Sequence, residues 1–197
     1  MFPQCGGRVR LYLFYDVADK RRLVGKDKQQ KFLDGFRLES FPGSETLASA
    51  RPAGPCGAYP MNDTWVDQPA AAGVVLVGDA AGWSDPILGE GLSVALRDVR
   101  SVADALRGSD DWSPEIFTEY AEERAERMRR LRFCADVLTT YGAEFVPGSV
   151  ERRRLAEGRF STDPELFMLR ACIFVGPELG ASELFSDETK ARLFAPA

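Results

Sequence analysis

Val74-Val75-Leu76-Val77-Gly78-Asp79-Ala80-Ala81-Gly82-Trp83-Ser84-Asp85-Pro86-Ile87-Leu88-Gly89-Glu90-Gly91-Leu92 runs unbroken from an apolar segment into the mouth of a helix. Residues 73–77 form a short continuous apolar run, the pattern of a central strand covered on both faces. Gly78-Asp79 ends the run, and a loop punctuated by proline and glycine follows. A helix is predicted over about 89–106, with Leu92, Leu96, Val99, Ala103 and Leu106 on one apolar stripe facing the core. Glycines at such a helix mouth let backbone N–H groups come close to an anionic ligand.

Working outward, residues 8–15 alternate: Val9, Leu11, Leu13 and Tyr15 face one way, and Arg8, Arg10, Tyr12 and Phe14 the other. That is a strand pattern of period two. Residues 26–38 carry Phe32, Leu33 and Phe36 at helical spacing. Pro42-Gly43-Ser44 reads as a turn. A short or edge strand is expected within 49–59, limited by Pro52, Gly54, Pro55 and Gly57. Downstream, Ser113-Pro114-Glu115 starts a helix to about 140. Its apolar stripe is Phe117, Tyr120, Met128, Leu131, Ala135 and Leu138. Its charged face, 122–132, is expected to be solvated or paired along the helix. Asp163-Pro164-Glu165 starts another helix, ending at Gly176-Pro177, and a last helix follows Ser186.

The 197 residues are 45% hydrophobic and 28% charged, a globular composition. A net charge of −5 argues against nucleic acid as the main partner. No apolar run approaches the ~20 residues of a membrane span, and no signal peptide is read at the N-terminus, so a cytoplasmic location is expected. Cys5, Cys56, Cys134 and Cys172 are widely spaced and form no Cys-x-x-Cys, as expected of isolated reduced thiols. The chain has no histidine. That removes histidine-dependent triads and metal sites together.

From Gly78 to Gly91 the chain resembles the flavoprotein monooxygenases of the para-hydroxybenzoate hydroxylase class (class A). Their second flavin motif reads Gly-Asp-Ala-Ala-x-x-x-x-Pro-x-x-Gly-x-Gly, and Ala95 and Asp98 also match their pattern. The resemblance implies an α/β, or α+β, fragment of a two-domain FAD- and NAD(P)-binding flavoprotein. On this reading residues 1–72 are part of a substrate-domain β region, 73–110 the C-terminal part of the FAD-binding domain, and 111–197 a helical tail. The N-terminal Gly-x-Gly-x-x-Gly that seats a pyrophosphate is not in this sequence. Gly6-Gly7 is read as preceding a strand rather than following one. The chain is therefore expected to be the C-terminal portion of such a protein, either a truncated product or one half of a split enzyme. A separately encoded N-terminal half is then the expected partner.

The same resemblance implies FAD as cofactor, NAD(P)H as reductant and a small organic substrate that is hydroxylated. Asp79 would accept hydrogen bonds from the ribityl hydroxyls, or else cap the loop. Gly78 would leave the ribityl chain room, or simply answer a turn requirement, and Ala80 belongs to the same cofactor-binding set. Pro86 would lie beside the isoalloxazine ring, or be an ordinary loop proline. The N–H groups of Gly89, Gly91 and Leu92 would face flavin N1 and C2=O, with Glu90 pointing away. Gly82 departs from the histidine that many hydroxylases carry there, and Ala-Ala-Gly with Gly-Glu-Gly also resembles the geranylgeranyl reductases. Tyr12, Phe14, Tyr59 and Met61 are the candidate substrate contacts. No residue is assigned a catalytic role, because the cofactor carries the reactive centre. Two alternatives stay open: a flavin-dependent prenyl reductase, and a non-catalytic remnant or assembly module.

Overall fold

The computed structural model describes residues 1–19, 21–144 and 146–196, and the contacts divide it into two units, Met1–Pro60 and Met61–Ala197. In the first unit, β1 (Phe2–Gln4) and β2 (Arg8–Arg10) pair antiparallel. Gly6 and Gly7 form the tip of this hairpin at φ 72° and 68°, so they follow one strand and precede another. The predicted strand over 8–15 stops at Arg10, since among the described residues no further partner strand continues the ladder. The helix expected over 26–38 is α1, Lys28–Asp34. The turn at 42–44 opens a short helix, α2, Ser44–Ala48. No strand forms within 49–59, where four glycines and prolines interrupt the backbone. Leu33, Ala48 and Ser44 are the buried residues of this unit among those described.

The second unit is a helical assembly with one small hairpin. Its β3 (Ala70–Ala71) and β4 (Val74–Val75) pair antiparallel across Ala72-Gly73, with Gly73 at φ 79°. The 73–77 run is therefore not a central strand covered on both faces, and Val74 is 53% exposed. Short length and a glycine turn favour local pairing over a parallel sheet. Among the described residues all strand pairing is antiparallel and confined to two such pairs. The chain is thus α+β and mostly helical, and the α/β half of the expectation does not hold.

Five helices follow: α3 (Gly91–Arg107), α4 (Thr118–Gly142), α5 (Ser149–Thr162), α6 (Pro164–Val175) and α7 (Asp187–Phe194). Two of the three start signals read from the sequence operate as caps, whereas Ser113 makes no side-chain cap and 114–117 forms a 3₁₀ turn ahead of α4. Asp163 accepts from the N–H groups of Glu165 and Leu166, and Ser186 from Thr189. The main core joins Cys134 and Val137 of α4, Ala156 and Phe160 of α5, and Leu166, Leu169, Cys172 and Ile173 of α6, with Leu193 of α7. Burial, and then the neighbouring Cys172, pushes the Cys134 thiol up to about 12. All four cysteines are free. Two smaller clusters attach α3 to α4. Val94 packs with Met128 and Leu131, and Val102 with Phe117 and Tyr120.

Helix α3 lies the opposite way round from the sequence expectation. Leu92, Leu96 and Val99 are 73%, 63% and 52% exposed, and Leu106 is also exposed. The buried face is Val94, Asp98 and Val102. These are spaced four apart, one turn each. The physical reason is that Asp98 finds two arginine partners on α4, so a carboxylate occupies the centre of the interface and the leucines turn outward. The charged face of α4 is paired along the helix as expected, Glu123 with Arg127 and Glu126 with Arg129 and Arg130, but two of its arginines are not on the surface. Arg124 and Arg127 are 4% and 7% exposed rather than solvated. Among the described residues no helix is long and apolar enough to cross a membrane.

Candidate functional site

The motif folds as two tight turns leading into α3. Gly78–Ala81 forms a single 3₁₀ turn and Pro86–Leu88 a second. Gly78 sits at φ 56°, and a Cβ there would lie 3.1 Å from the Cβ of Ala95. Glycine is therefore needed twice over, for the left-handed backbone and for close packing of α3 on the turn. Gly82 is tighter still. At φ 111°, an added Cβ would be 2.5 Å from the Cα of Trp65 and 2.6 Å from the carbonyl oxygen of Thr64. No side chain fits at position 82 in this backbone.

A buried charge network lies behind the first turn. The Asp98 carboxylate, fully buried, accepts from the Gly78 N–H at 2.9 Å, from Arg124 Nε at 2.9 Å and from Arg127 Nη2 at 2.6 Å. Arg124 Nη2 also donates to the carbonyls of Gly78 and Gly82, both at 3.1 Å. Arg127 is shared with Glu123. The Tyr120 hydroxyl donates to the Leu76 carbonyl at 2.8 Å. Burial, and then the Asp98 charge, pushes that phenol up to about 12. Glu123 also pairs with Arg97, which reaches Glu178, so three carboxylates balance three guanidiniums, with the Asp98 end buried. Sequence reasoning missed Arg124, Arg127 and Tyr120 as parts of the site. The available signal was their 120, 124, 127 spacing, which puts all three on one face of α4.

The second turn is braced by residues 63–65. The Thr64 N–H donates to the Trp83 carbonyl at 2.9 Å and the Trp83 N–H to Thr64 Oγ1 at 3.2 Å, while the Asp85 N–H donates to Asp63 Oδ1 at 2.9 Å. Arg132 donates to the Thr64 carbonyl and lies 5.0 Å from the Trp65 ring centroid. Asp85 is extended before Pro86, as the following proline demands, and its side chain accepts from the Ile87 N–H.

With these braces in place, the sequence-predicted cofactor residues other than Gly78 fall on the outer side of the corner; Gly78 is buried, with its N–H on Asp98 and its carbonyl on Arg124. Asp79 and Ala80 are exposed between the two glycines. Among the described residues the Asp79 carboxylate takes no hydrogen bond. Pro86, Gly89, Gly91 and Leu92 are exposed as well, and nothing lies within 4 Å of a Cβ placed on Gly89 or Gly91. The first helical bond of α3 runs from the Val94 N–H to the Glu90 carbonyl, and Glu90 supplies no side-chain cap. The N–H groups of Gly91, Leu92 and Ser93 are therefore without a protein partner among the described residues. Gly89 differs from expectation, because its N–H is used within the second turn, donating to the Pro86 carbonyl at 2.9 Å. The Glu90 side chain joins Ser93, Arg97, Val175 and Glu178 around a cleft of ≈190 Å³.

The candidate substrate residues lie in different units. Tyr12, Phe14 and Tyr59 are exposed in the first, with Tyr12 edge-on to Phe2 at 5.3 Å, and Met61 is exposed in the second. No group of His, Cys, Asp or Glu able to hold a metal occurs among the described residues.

No family model matches this chain, and no solved structure is a significant match. Curated proteins do match it. A 3-(3-hydroxy-phenyl)propionate/3-hydroxycinnamic acid hydroxylase 2 from Burkholderia vietnamiensis is 34% identical over 107 residues, 51% of this chain and 19% of that protein. A ubiquinone hydroxylase, UbiL, from Rhodospirillum rubrum is 29% identical over 143 residues, 67% of this chain and 33% of that protein. A 3-(3-hydroxy-phenyl)propionate/3-hydroxycinnamic acid hydroxylase from Burkholderia cenocepacia is 36% identical over 81 residues, 40% of this chain and 14% of that protein. The chain spans no more than a third of the length of these relatives. Over part of its length, then, it is similar to hydroxylases.

Proposed function

We propose that this chain forms the flavin-contacting corner of an FAD-dependent monooxygenase that uses NAD(P)H and O₂ to hydroxylate a small organic substrate. The observation that carries this reading is the uncapped mouth of α3. Its N–H groups at Gly91 and Leu92, unpaired among the described residues, open beside unobstructed glycines, on the same helix that packs against the turn bearing Asp79. The partial hydroxylase similarity supports it. When bound, FAD supplies the redox and oxygen chemistry.

The chain's own residues bind and orient. Asp79, without a side-chain hydrogen-bond partner among the described residues, accepts hydrogen bonds from polyol hydroxyls. Gly91 and Leu92 N–H groups donate to an electron-rich ring edge, and the α3 dipole adds ~0.3–2 kcal/mol for negative charge there. Pro86 offers a flat apolar edge with no N–H to satisfy. A segment carrying Gly-x-Gly-x-x-Gly must join to complete a pyrophosphate seat, and we assign that role to a separately supplied N-terminal half. The outward leucines of α3, Leu92 and Leu96, are available to it. Titration of the purified chain with FAD, followed by flavin fluorescence, tests the reading. Saturable quenching that Asp79→Ala weakens is expected, and identical curves for both proteins would remove Asp79 from the site.

A further inference from the structure

We propose that Arg124 is a positioning residue for the turn that presents Asp79, and that it thereby sets how tightly a flavin is held; the second half rests on the function proposed above. The turn is bracketed by two glycines in left-handed conformations, Gly78 at φ 56° and Gly82 at φ 111°. The turn has one closing bond of its own, from the Gly82 N–H to the Asp79 carbonyl at 3.2 Å, and glycine at both ends adds no side chain to limit the flanking backbone. Arg124 clamps it. One guanidinium nitrogen, Nη2, takes the carbonyls of both hinge residues, and Nε anchors the group on Asp98. Asp98 in turn fixes the Gly78 N–H. Both peptide groups flanking the first hinge are therefore held from behind, while Asp79 and Ala80 stay exposed in front. The fork geometry is what matters. Lysine keeps the positive charge beside Asp98 but offers a compact ammonium on a flexible stem, which does not reproduce the planar reach to two carbonyls and a carboxylate. Arg127 does not duplicate the clamp, because its bonds go to Asp98 and Glu123.

Arg124→Lys in the full chain separates this role from general stability. Amide exchange at Gly78 to Gly82 is expected to accelerate, while exchange at Leu169 and Cys172 in the main core stays as in the parent. FAD affinity is expected to fall about tenfold, the fold-change of one lost charged hydrogen bond. In combination with Asp79→Ala the two losses should not multiply, since a misplaced and an absent carboxylate fail alike. Unchanged exchange at the turn, loosening spread equally over the core, or fold-changes that multiply would each overturn the proposal. If the parent takes no FAD but the turn alone loosens in the variant, the flavin reading falls and the clamp stands. Should the lysine variant not fold, the parent protein still decides. Slow rotation of the Arg124 guanidinium, seen as two resolved Nη nitrogen signals, is expected, and an averaged signal would contradict the clamp.

Discussion

Asp98→Asn is the most incisive perturbation of the fold. The side chain is fully buried and accepts three hydrogen bonds, two from arginines that are themselves 4% and 7% exposed. Asparagine keeps the size and loses the charge. Arg124 and Arg127 would then face Glu123 as the remaining carboxylate of the network, and one amide N–H₂ would point at a guanidinium. Breaking a buried pair from one side costs about 3–5 kcal/mol. Against a total of about 5–15 kcal/mol for a domain, that is a large fraction. With a urea slope of about 2 kcal/mol/M, the midpoint should fall by about 2 M at unchanged slope. Asp104→Asn, on the exposed side of the same helix and paired with Arg107, serves as the control and should leave the midpoint in place. Equal midpoints for Asp98→Asn and the parent would show that the carboxylate does not organise the α3–α4 interface.

Three further outcomes are expected. Alanine at the motif glycines should destabilise in the order Gly82, Gly78, Gly89, read by thermal unfolding. Position 82 meets backbone at 2.5 Å, position 78 meets a methyl group at 3.1 Å, and position 89 has open space and only its φ of 75° to oppose the change. Leu96→Lys should leave the urea midpoint unchanged, whereas Val102→Ala should cost about 2 kcal/mol for lost burial and a residual cavity; the reverse result would restore the leucine face to the core. Tyr120 gives a pH signature. Its folded phenol stays protonated up to about 12, while the unfolded phenol ionises near ~10. The folded state therefore binds more protons between these values, and stability falls as pH rises through that window. The difference between parent and Tyr120→Phe stability should be flat below pH ~10 and slope above it; a difference flat throughout would contradict the buried phenol.

The corner at 78–91 was legible because glycine, proline and aspartate dictate backbone geometry locally. The starts of α6 and α7 were legible for the same reason, with Asp163 and Ser186 each capping the helix that follows. What stayed hidden depends on partners distant in sequence. Hydropathy alone assigns the leucine face of α3 to the core, and only the meeting of Asp98 with Arg124 and Arg127, 26 and 29 residues away, reverses it. The charged run on α4 reads from the sequence as solvated or paired along the helix; the pairing is there, but the burial of Arg124 and Arg127 is not legible without Asp98. Helix α5 went unread because its 14 residues bury only Ser149, Ala156 and Phe160, too few for a periodic signal. The 73–77 run was misjudged because apolar residues in so short a segment do not distinguish a central strand from one arm of a hairpin.

The central claim is that the corner formed by the Asp79 turn and the open mouth of α3 receives a flavin. Backbone amide shifts of the ¹⁵N-labelled chain, followed during titration with FAD, test it residue by residue. The account predicts saturable shifts concentrated at Asp79, Ala80, Gly91 and Leu92, with α6 and α7 undisturbed. Absence of shifts at these four residues at saturating FAD, or shifts centred elsewhere in the chain, would contradict it.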